Sequence, residues 1–301
     1  MTMDTVWGLM TTERLKGISL NDLVGGGDAK GVGQLSCEVL WKLGAVGRES
    51  RVLDIGCGCG RTAAALAPYL LPTASFVGVD IIPGLVSFCR REITSRHPNF
   101  QFHTLRQDNP KYSEFIDHDA NIVLLEDIED LDQDFDLVTA FSVFTHLDRA
   151  ATVSMLDTIW NRLKNEATAV LSFFILNPFS RASVASARSN LFRGGMDVSA
   201  NVVIDTFNGP NSAVGFDEST LLDMILESKF QRPQSIHYGN WNCAPGLHYQ
   251  DLVVLRKELP VPADFDPEAY LVANPDVQLA GMNPFFHYRE FGRREGRRTC
   301  P

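Results

Sequence analysis

Two acidic residues and three glycines lie close together in the chain, and their spacing suits the binding of a nucleotide-like ligand. The run VLDIGCGCG at 52–60 contains Asp54 and, after it, Gly56, Gly58 and Gly60. Glycines at alternate positions let a strand turn sharply into a helix, and they let the backbone approach a ligand where a Cβ would obstruct it. The run VGVD then ends at Asp80. An acid at the end of the second strand suits an acceptor for both hydroxyls of a ribose.

The charges around the glycines indicate which ligand this is. A dinucleotide-binding loop has the pattern G-x-G-x-x-G, but Arg61 stands where its third glycine would be. The carboxylate of Asp54 is poorly placed for a pyrophosphate and well placed for a cationic amino acid. S-adenosylmethionine carries an ammonium and a sulfonium, so we expect it as the cofactor. A nicotinamide dehydrogenase is disfavoured, and a glycine-rich turn without a ligand is the structural alternative.

Strand and helix patterns alternate along most of the chain. We predict strands at 51–55, 75–81, 99–106, 135–144 and 168–176, with helices at 61–71, 83–96 and 151–163. This alternation predicts an α/β fold, a Rossmann-like doubly wound sheet that is mostly parallel. A helix near 217–229 precedes two further strands, 235–241 and 248–257, which predict a closing antiparallel hairpin. Residues 177–215 break the alternation and predict a long connection that forms a lid or substrate loop.

Three segments are expected. Residues 1–49 form an N-terminal helical cap, 50–258 the nucleotide-binding domain, and 259–301 a small helical C-terminal module after a proline-rich linker at 258–267. In the cap, the run Gly25, Gly26 and Gly27 either passes close to the cofactor or makes a flexible turn. The following helix packs on the sheet through Leu35, Val39, Leu40 and Leu43. In the module we expect two or three short helices. Their inward-facing residues are expected to be Tyr270, Leu271, Val277, Phe286, Tyr288 and Phe291. The basic tail is expected to be a solvated face.

Composition limits the classes of partner. A formal net charge of −10 argues against nucleic acid, which needs a surplus of Lys and Arg over one face. The six cysteines are scattered without CxxC pairs or accompanying histidines, so neither a metal site nor a disulfide framework is predicted. No secretory signal and no apolar run of membrane-spanning length stand out, and a cytoplasmic protein is expected.

These motifs carry a resemblance to a known family. Residues 50–257, with VLDIGCGCGR, the strand end VGVD and the segment FSVFTHL, resemble a class I S-adenosylmethionine-dependent methyltransferase of the bacterial small-protein type. The resemblance implies that Asp54 and the glycines contact the methionine part, that Asp80 takes the ribose, and that the end of the fourth strand lines the sulfonium. The implied cofactor-binding set is Asp54, Gly56, Cys57, Gly58, Gly60, Asp80, Ile81, Asp108, Phe141 and Ser142.

Asp108 is implied as the neighbour of the adenine amine because it directly follows the third strand. Glu126 or Asp127 could take that place instead, and an Asp-Asn-Pro turn explains Asp108 without any ligand.

Methyl transfer needs little catalytic machinery beyond alignment, but an oxygen nucleophile benefits from a base. His146, just past the fourth strand, is the candidate base, and a structural role at a helix start is the alternative. Four residues near the closing hairpin either shape an acceptor pocket or pack as strand aromatics, namely His237, Tyr238, Trp241 and His248.

The C-terminal sequence FDPEAYLVANPDV, followed by AG, HY and EGR, is similar to a short repeat attached to bacterial glycosyltransferases. It favours a saccharide or a surface-polymer precursor as the methyl acceptor. For the whole chain we expect a methyltransferase acting on a small-molecule or saccharide acceptor, with O-methylation preferred. The alternative is a catalytically inactive methyltransferase-like binding module in a glycan-related system.

Overall fold

The computed structural model describes residues 3–105, 114–115, 135–186, 188–189, 191–192, 196–199, 202–205, 213–258, 262 and 264–300. The chain forms two compact units, Met1–Arg256 and Lys257–Pro301. Among the described residues, no helix is both long enough and apolar enough to cross a lipid bilayer.

The helices of the first unit are α1 (Met3–Thr12), α2 (Leu20–Leu23), α3 (Ala29–Lys42), α4 (Arg61–Leu66), α5 (Pro83–Cys89), α6 (Arg149–Arg162), α7 (Pro178–Ala185) and α8 (Glu218–Glu227). Its strands are β1 (Arg14–Leu15), β2 (Ile18–Ser19), β3 (Arg51–Ile55), β4 (Ser75–Asp80), β5 (Phe100–Thr104), β6 (Phe135–Ala140), β7 (Leu163–Phe173), β8 (Ile175–Leu176), β9 (Met196–Ser199), β10 (Val202–Asp205), β11 (Ala213–Asp217), β12 (Pro233–His237) and β13 (Asp251–Arg256).

A seven-stranded sheet in the order β12-β13-β7-β6-β3-β4-β5 forms the centre of this unit. The five strands β3, β4, β5, β6 and β7 are parallel, whereas β13 runs antiparallel to both β7 and β12. The predicted Rossmann-like fold with a closing hairpin is therefore confirmed. The chain runs outward from β3 to β5 and then returns to β6 on the other side of β3. That reversal opens a crevice at the carboxyl ends of β3 and β6, where ligands bind in such sheets.

Helices cover both faces of the sheet, which is why the strands are apolar on both sides. Val52 and Phe76 face a layer made by α1, α3, α4 and α5. The next residue of each strand, Leu53 and Val77, faces the opposite layer, where α6 and α8 pack. Burial on two faces fixes the position of each strand end, and the site residues lie at those ends.

Residues 177–215 are predicted as a long connection without regular elements, and this part of the prediction is wrong. It contains α7, and β9, β10 and β11 join β8 in a second, four-stranded sheet. A capping box starts α7, because the Asn177 side chain accepts from the Ser180 N–H and the Ser180 hydroxyl accepts from the Asn177 N–H. Around it Phe174, Phe192 and Trp241 form a separate apolar cluster. Ser- and Asn-rich composition concealed this short-range order.

Other boundaries differ by a few residues. The predicted helix 61–71 ends at Leu66, and the predicted helix 83–96 continues beyond α5 as a π-helical turn, Arg90–Thr94. The predicted strand 135–144 ends at Ala140, and β7 begins five residues before the predicted start. Leu35, expected on the packed face of α3, is 37% exposed.

The second unit contains α9 (Pro267–Ala273), α10 (Pro275–Leu279), α11 (Pro284–His287) and a π-helical turn, Tyr288–Gly292. Its core consists of Phe265, Tyr270, Val277 and Tyr288, with Leu271 partly buried against them. Phe291 was expected to point inward but is 43% exposed. The side chain of Phe286 lies outside the described residues.

Candidate active site

The glycine loop is a left-handed turn held against the end of β4. Gly56, Gly58 and Gly60 have φ angles of +70°, +56° and +81°, which L-residues with side chains rarely adopt. The N–H groups of Gly56 and Cys57 donate to the carbonyl of Val79 at 2.8 and 3.0 Å. A Cβ on Gly58 would lie 2.8 Å from the side chain of Val24. The loop therefore needs glycine both for its backbone conformation and for the close approach of the N-terminal segment.

Two carboxylates lie buried beside this loop. Asp54 is 2% exposed and accepts a hydrogen bond from the Thr139 hydroxyl at 2.7 Å. Asp80 is 8% exposed and accepts from the N–H groups of Gly58 at 2.8 Å and Ile82 at 2.9 Å. Within the described part of the chain, neither carboxylate forms a salt bridge.

The burial of these acids shifts their ionisation. Loss of hydration raises the pKa of Asp54 to about 7, against the opposing effect of the Thr139 hydroxyl and with a smaller contribution from the charge of Asp80. Burial also raises the pKa of Asp80, although its backbone N–H donors oppose the change. A ligand that brings positive charge to Asp54 and hydroxyl donors to Asp80 would favour the ionised form of both.

A hydrogen-bonded group lies at the neighbouring strand end. Ser142, just after β6, has a φ of +59°. Its N–H donates to the Ser172 hydroxyl at 2.7 Å. Both serine hydroxyls donate to the side-chain amide oxygen Oε1 of Gln250, at 3.0 Å from Ser142 and 2.7 Å from Ser172. Phe141 packs against the ring of His248, with centroids 5.4 Å apart. These contacts hold the end of β6 in a strained conformation at the crevice.

The remaining predicted residues are placed as follows. Ile81 is partly buried between the two cores, directly after Asp80. The Cys57 side chain is buried, and its backbone N–H holds the glycine turn against β4. His146 ends a 3₁₀ turn, Phe144–His146, just beyond β6. Asp108 and its alternatives Glu126 and Asp127 lie outside the described residues.

The hairpin residues have mixed roles. Trp241 is 2% exposed, and its indole N–H donates to Asp251, which also accepts from the N–H groups of Ile175 and Gly239. Tyr238 is on the surface and donates to Glu218. His237 contacts the Ser235 hydroxyl. Of the four candidates for an acceptor pocket, His248 is the one that contacts a residue of the strand end, Phe141.

The sequence interpretation missed three contributors to the site. Arg61, read only as a departure from the dinucleotide pattern, donates to the carbonyls of Val24 and Gly26. Ser172 and Gln250 gave no sequence signal, because single polar residues at strand ends are common.

The turn at Gly25, Gly26 and Gly27 lies beside Arg61. All three glycines have positive φ, and the Asn21 side-chain amide donates to the carbonyl of Gly27 at 2.8 Å.

Comparison with known proteins agrees with this geometry. Residues 53–169 match the family model Methyltransf_12, described as a methyltransferase domain. The match begins in β3 and ends in β7, so it includes the glycine loop, Asp80 and the end of β6.

Solved structures share the fold at low identity. The mitomycin 7-O-methyltransferase is 16% identical, with 85% of this chain and 61% of that chain covered and a TM-score of 0.50. A S-adenosylmethionine-dependent methyltransferase from Methanosarcina mazei is 16% identical, with 73% and 98% covered and a TM-score of 0.49. A protein from Nostoc punctiforme PCC 73102, provisionally described as an O-methyltransferase, is 18% identical, with 76% and 56% covered and a TM-score of 0.47. The chain thus spans about three fifths or less of the length of the first and third of these.

The match to a methyltransferase domain model is therefore confined to residues 53–169, which contain the crevice at the carboxyl ends of β3 and β6.

Proposed function

We propose that this protein is an S-adenosylmethionine-dependent methyltransferase that methylates an oxygen atom of a small-molecule or saccharide acceptor. The observation that carries the proposal is the pair of buried carboxylates, Asp54 and Asp80, beside the glycine turn. Burying two acids without salt-bridge partners is costly unless a ligand compensates them. An ammonium and a ribose diol are such compensating groups.

The site residues fit this cofactor in chemistry. Asp54 would hold the ammonium, Asp80 the ribose hydroxyls, and the turn at Gly56 and Gly58 would admit the methionine part. Ile81, Phe141 and Ser142 would line the remainder, with Asp108 proposed at the adenine. When bound, the cofactor supplies a methyl group already activated by its sulfonium, so the protein has to position the acceptor and exclude water.

His146 is proposed as the base that accepts the proton of an acceptor hydroxyl, on the strength of its position just beyond β6. Replacement of His146 by Asn should lower the methyl-transfer rate about 100-fold or more while leaving cofactor affinity unchanged. A rate that stays within a factor of two would assign His146 a structural role at this turn.

The saccharide acceptor is supported by the resemblance of the C-terminal sequence to a repeat of glycosyltransferases. O-methylation is in keeping with the printed names of the mitomycin and Nostoc proteins.

Calorimetry with S-adenosylmethionine and, separately, with NAD tests the proposal. Binding of the first and not of the second is expected, and absence of S-adenosylmethionine binding would overturn it. Methyl transfer from labelled cofactor to fractions of a cell extract then identifies the acceptor class. Binding without transfer to any fraction would favour the inactive binding module.

A further inference from the structure

Arg61 is a partly buried cation at the glycine turn, and none of the described carboxylates forms a salt bridge with it. It follows Gly60 directly and begins α4. Its guanidinium donates to the carbonyls of Val24 at 2.8 Å and Gly26 at 3.3 Å. In the part of the chain that the structure describes, no acidic side chain lies within salt-bridge distance of it. Burial of the guanidinium lowers the pKa of Arg61, against the opposing charge of Asp54.

The charges nearby do not supply this compensation. Asp54 is close enough for its charge and that of Arg61 to influence each other, but the two side chains do not form a salt bridge. Burial lowers the pKa of His248, and its Nδ1 accepts from the Gln250 N–H at 3.2 Å. Arg61 therefore lies near Asp54 and His248, and neither of them forms a salt bridge with it.

The free end of the cofactor has the complementary charges. Its methionine part ends in an ammonium and a carboxylate on one carbon atom, so an acid and a cation placed on either side of the same turn can compensate both. A guanidinium has five N–H donors, and two of them are used by Val24 and Gly26. Three donors remain, and a guanidinium binds carboxylates strongly because two of its donors can act together.

We propose that Arg61 binds the α-carboxylate of S-adenosylmethionine and so selects the complete amino-acid end of the cofactor. This inference rests on the proposed function. The same guanidinium donates hydrogen bonds to the carbonyls of Val24 and Gly26. Arg61 would therefore bind both the cofactor carboxylate and the N-terminal segment.

The test compares two ligands by calorimetry on the full chain: S-adenosylmethionine and its decarboxylated form, which keeps the sulfonium, amine, ribose and adenine. The wild-type protein should bind the complete cofactor at least about tenfold more tightly, the scale of a charged hydrogen-bonded pair. In the Arg61→Met variant this ratio should fall to about two or less. Arg51→Met is the control, since Arg51 lies at the opposite end of β3 and its guanidinium packs over Phe135; its ratio should equal that of the wild type.

Each outcome decides the matter. Equal affinity of the wild type for both ligands overturns the role of Arg61, and so does an Arg61→Met variant that weakens both ligands by the same factor, because that is the effect of a purely structural contact. If circular dichroism shows that Arg61→Met does not fold, Arg61→Lys replaces it, since lysine keeps the charge but cannot donate two parallel hydrogen bonds to a carboxylate. The affinity ratio between the two ligands should then fall by about threefold or more. An unchanged ratio contradicts the proposal. No binding of S-adenosylmethionine to the wild type would overturn the proposed function itself.

Discussion

Asp54 is a buried acid, and its ionisation lowers the stability of the folded protein when no ligand compensates the charge. Its pKa in the folded chain is raised from 3.8 to about 7, chiefly by burial. The folded state therefore binds this proton more tightly than the unfolded state between these values. The resulting contribution to stability is complete below pH 3.8 and is lost as the pH rises through about 7. A bound cation reverses this penalty, since it favours the carboxylate.

Cofactor affinity should consequently rise with pH around neutrality. If the carboxylate of Asp54 is the form that holds the ammonium, the dissociation constant should increase about tenfold for each pH unit below the pKa and level off above it. Calorimetric titrations from pH 5.5 to 8.5 measure this. The Asp54→Asn variant should bind more weakly at high pH and lose most of the pH dependence. A wild-type affinity that is constant across the range would contradict the assignment of Asp54.

Asp80 offers a second test at the level of one residue. Replacement of Asp80 by Ala should weaken S-adenosylmethionine binding by about 1–3 kcal/mol, because two ribose hydroxyls lose their acceptor. The carboxylate also accepts from the N–H groups of Gly58 and Ile82, so part of the loss would come from the loop. Comparison with a 2′,3′-dideoxy analogue of the cofactor, whose ribose lacks both hydroxyls, separates the two effects. If Asp80→Ala weakens binding of this analogue as much as that of the complete cofactor, the carboxylate acts on the loop alone.

The positions of site residues at the ends of clear strand patterns could be predicted from the sequence. Asp54 and Asp80 are placed by strands whose apolar runs are unambiguous, and both lie at the same edge of the sheet in the structure. Ser172 lies in β7 and Gln250 directly precedes β13, 78 residues further along the chain, and only the sheet order brings them together. Long-range pairing of this kind leaves no local signal in one sequence.

At the level of elements, α3 and α4 pack so closely that one glycine decides their approach. A Cβ on Gly33 of α3 would lie 2.6 Å from the carbonyl oxygen of Arg61 and 2.7 Å from the Trp7 ring. Gly33→Ala should destabilise the first unit by about 1–3 kcal/mol, as overpacking does, despite the better helix propensity of alanine. Chemical denaturation measures the change.

Gly31→Ala is the matched control on the same helix. Its Cβ would meet the carboxylate of Asp28, an exposed side chain that can rotate away. We expect an effect within about 0.5 kcal/mol, typical of a surface substitution. Equal destabilisation by both variants would mean that the close approach of α3 to α4 is not what Gly33 provides.

The elements also show where pattern reasoning stops. The apolar runs of the parallel strands predicted all five of them, because strands buried on both faces leave a continuous signal. The extension at α7 and β9 to β11 left none, since its strands have four or five residues and its eight-residue helix contains two serines and two alanines. Short elements that pack on one small cluster do not need a long apolar run.

Considered as a whole molecule, the chain divides at Arg256 into two units with separate cores. The core of the second unit is small and depends on Tyr270, which is fully buried and contacts the His287 ring nitrogen at 2.8 Å through its hydroxyl. A core of this size leaves little reserve of stability. The two units should therefore respond separately to substitutions in either core.

Gly292→Ala tests this separation, because a Cβ at that position would collide with the Tyr270 hydroxyl and lie 3.5 Å from the Tyr288 ring. Differential scanning calorimetry should show that the substitution lowers the transition of the second unit, by the several degrees that about 1–3 kcal/mol implies for a small domain, and leaves the transition of the first unit and its cofactor affinity unchanged. Leu279→Ala is the control, since Leu279 is 89% exposed and its loss should move neither transition. If Gly292→Ala lowers both transitions together, the units unfold as one cooperative body, and the expectation of separate transitions is wrong.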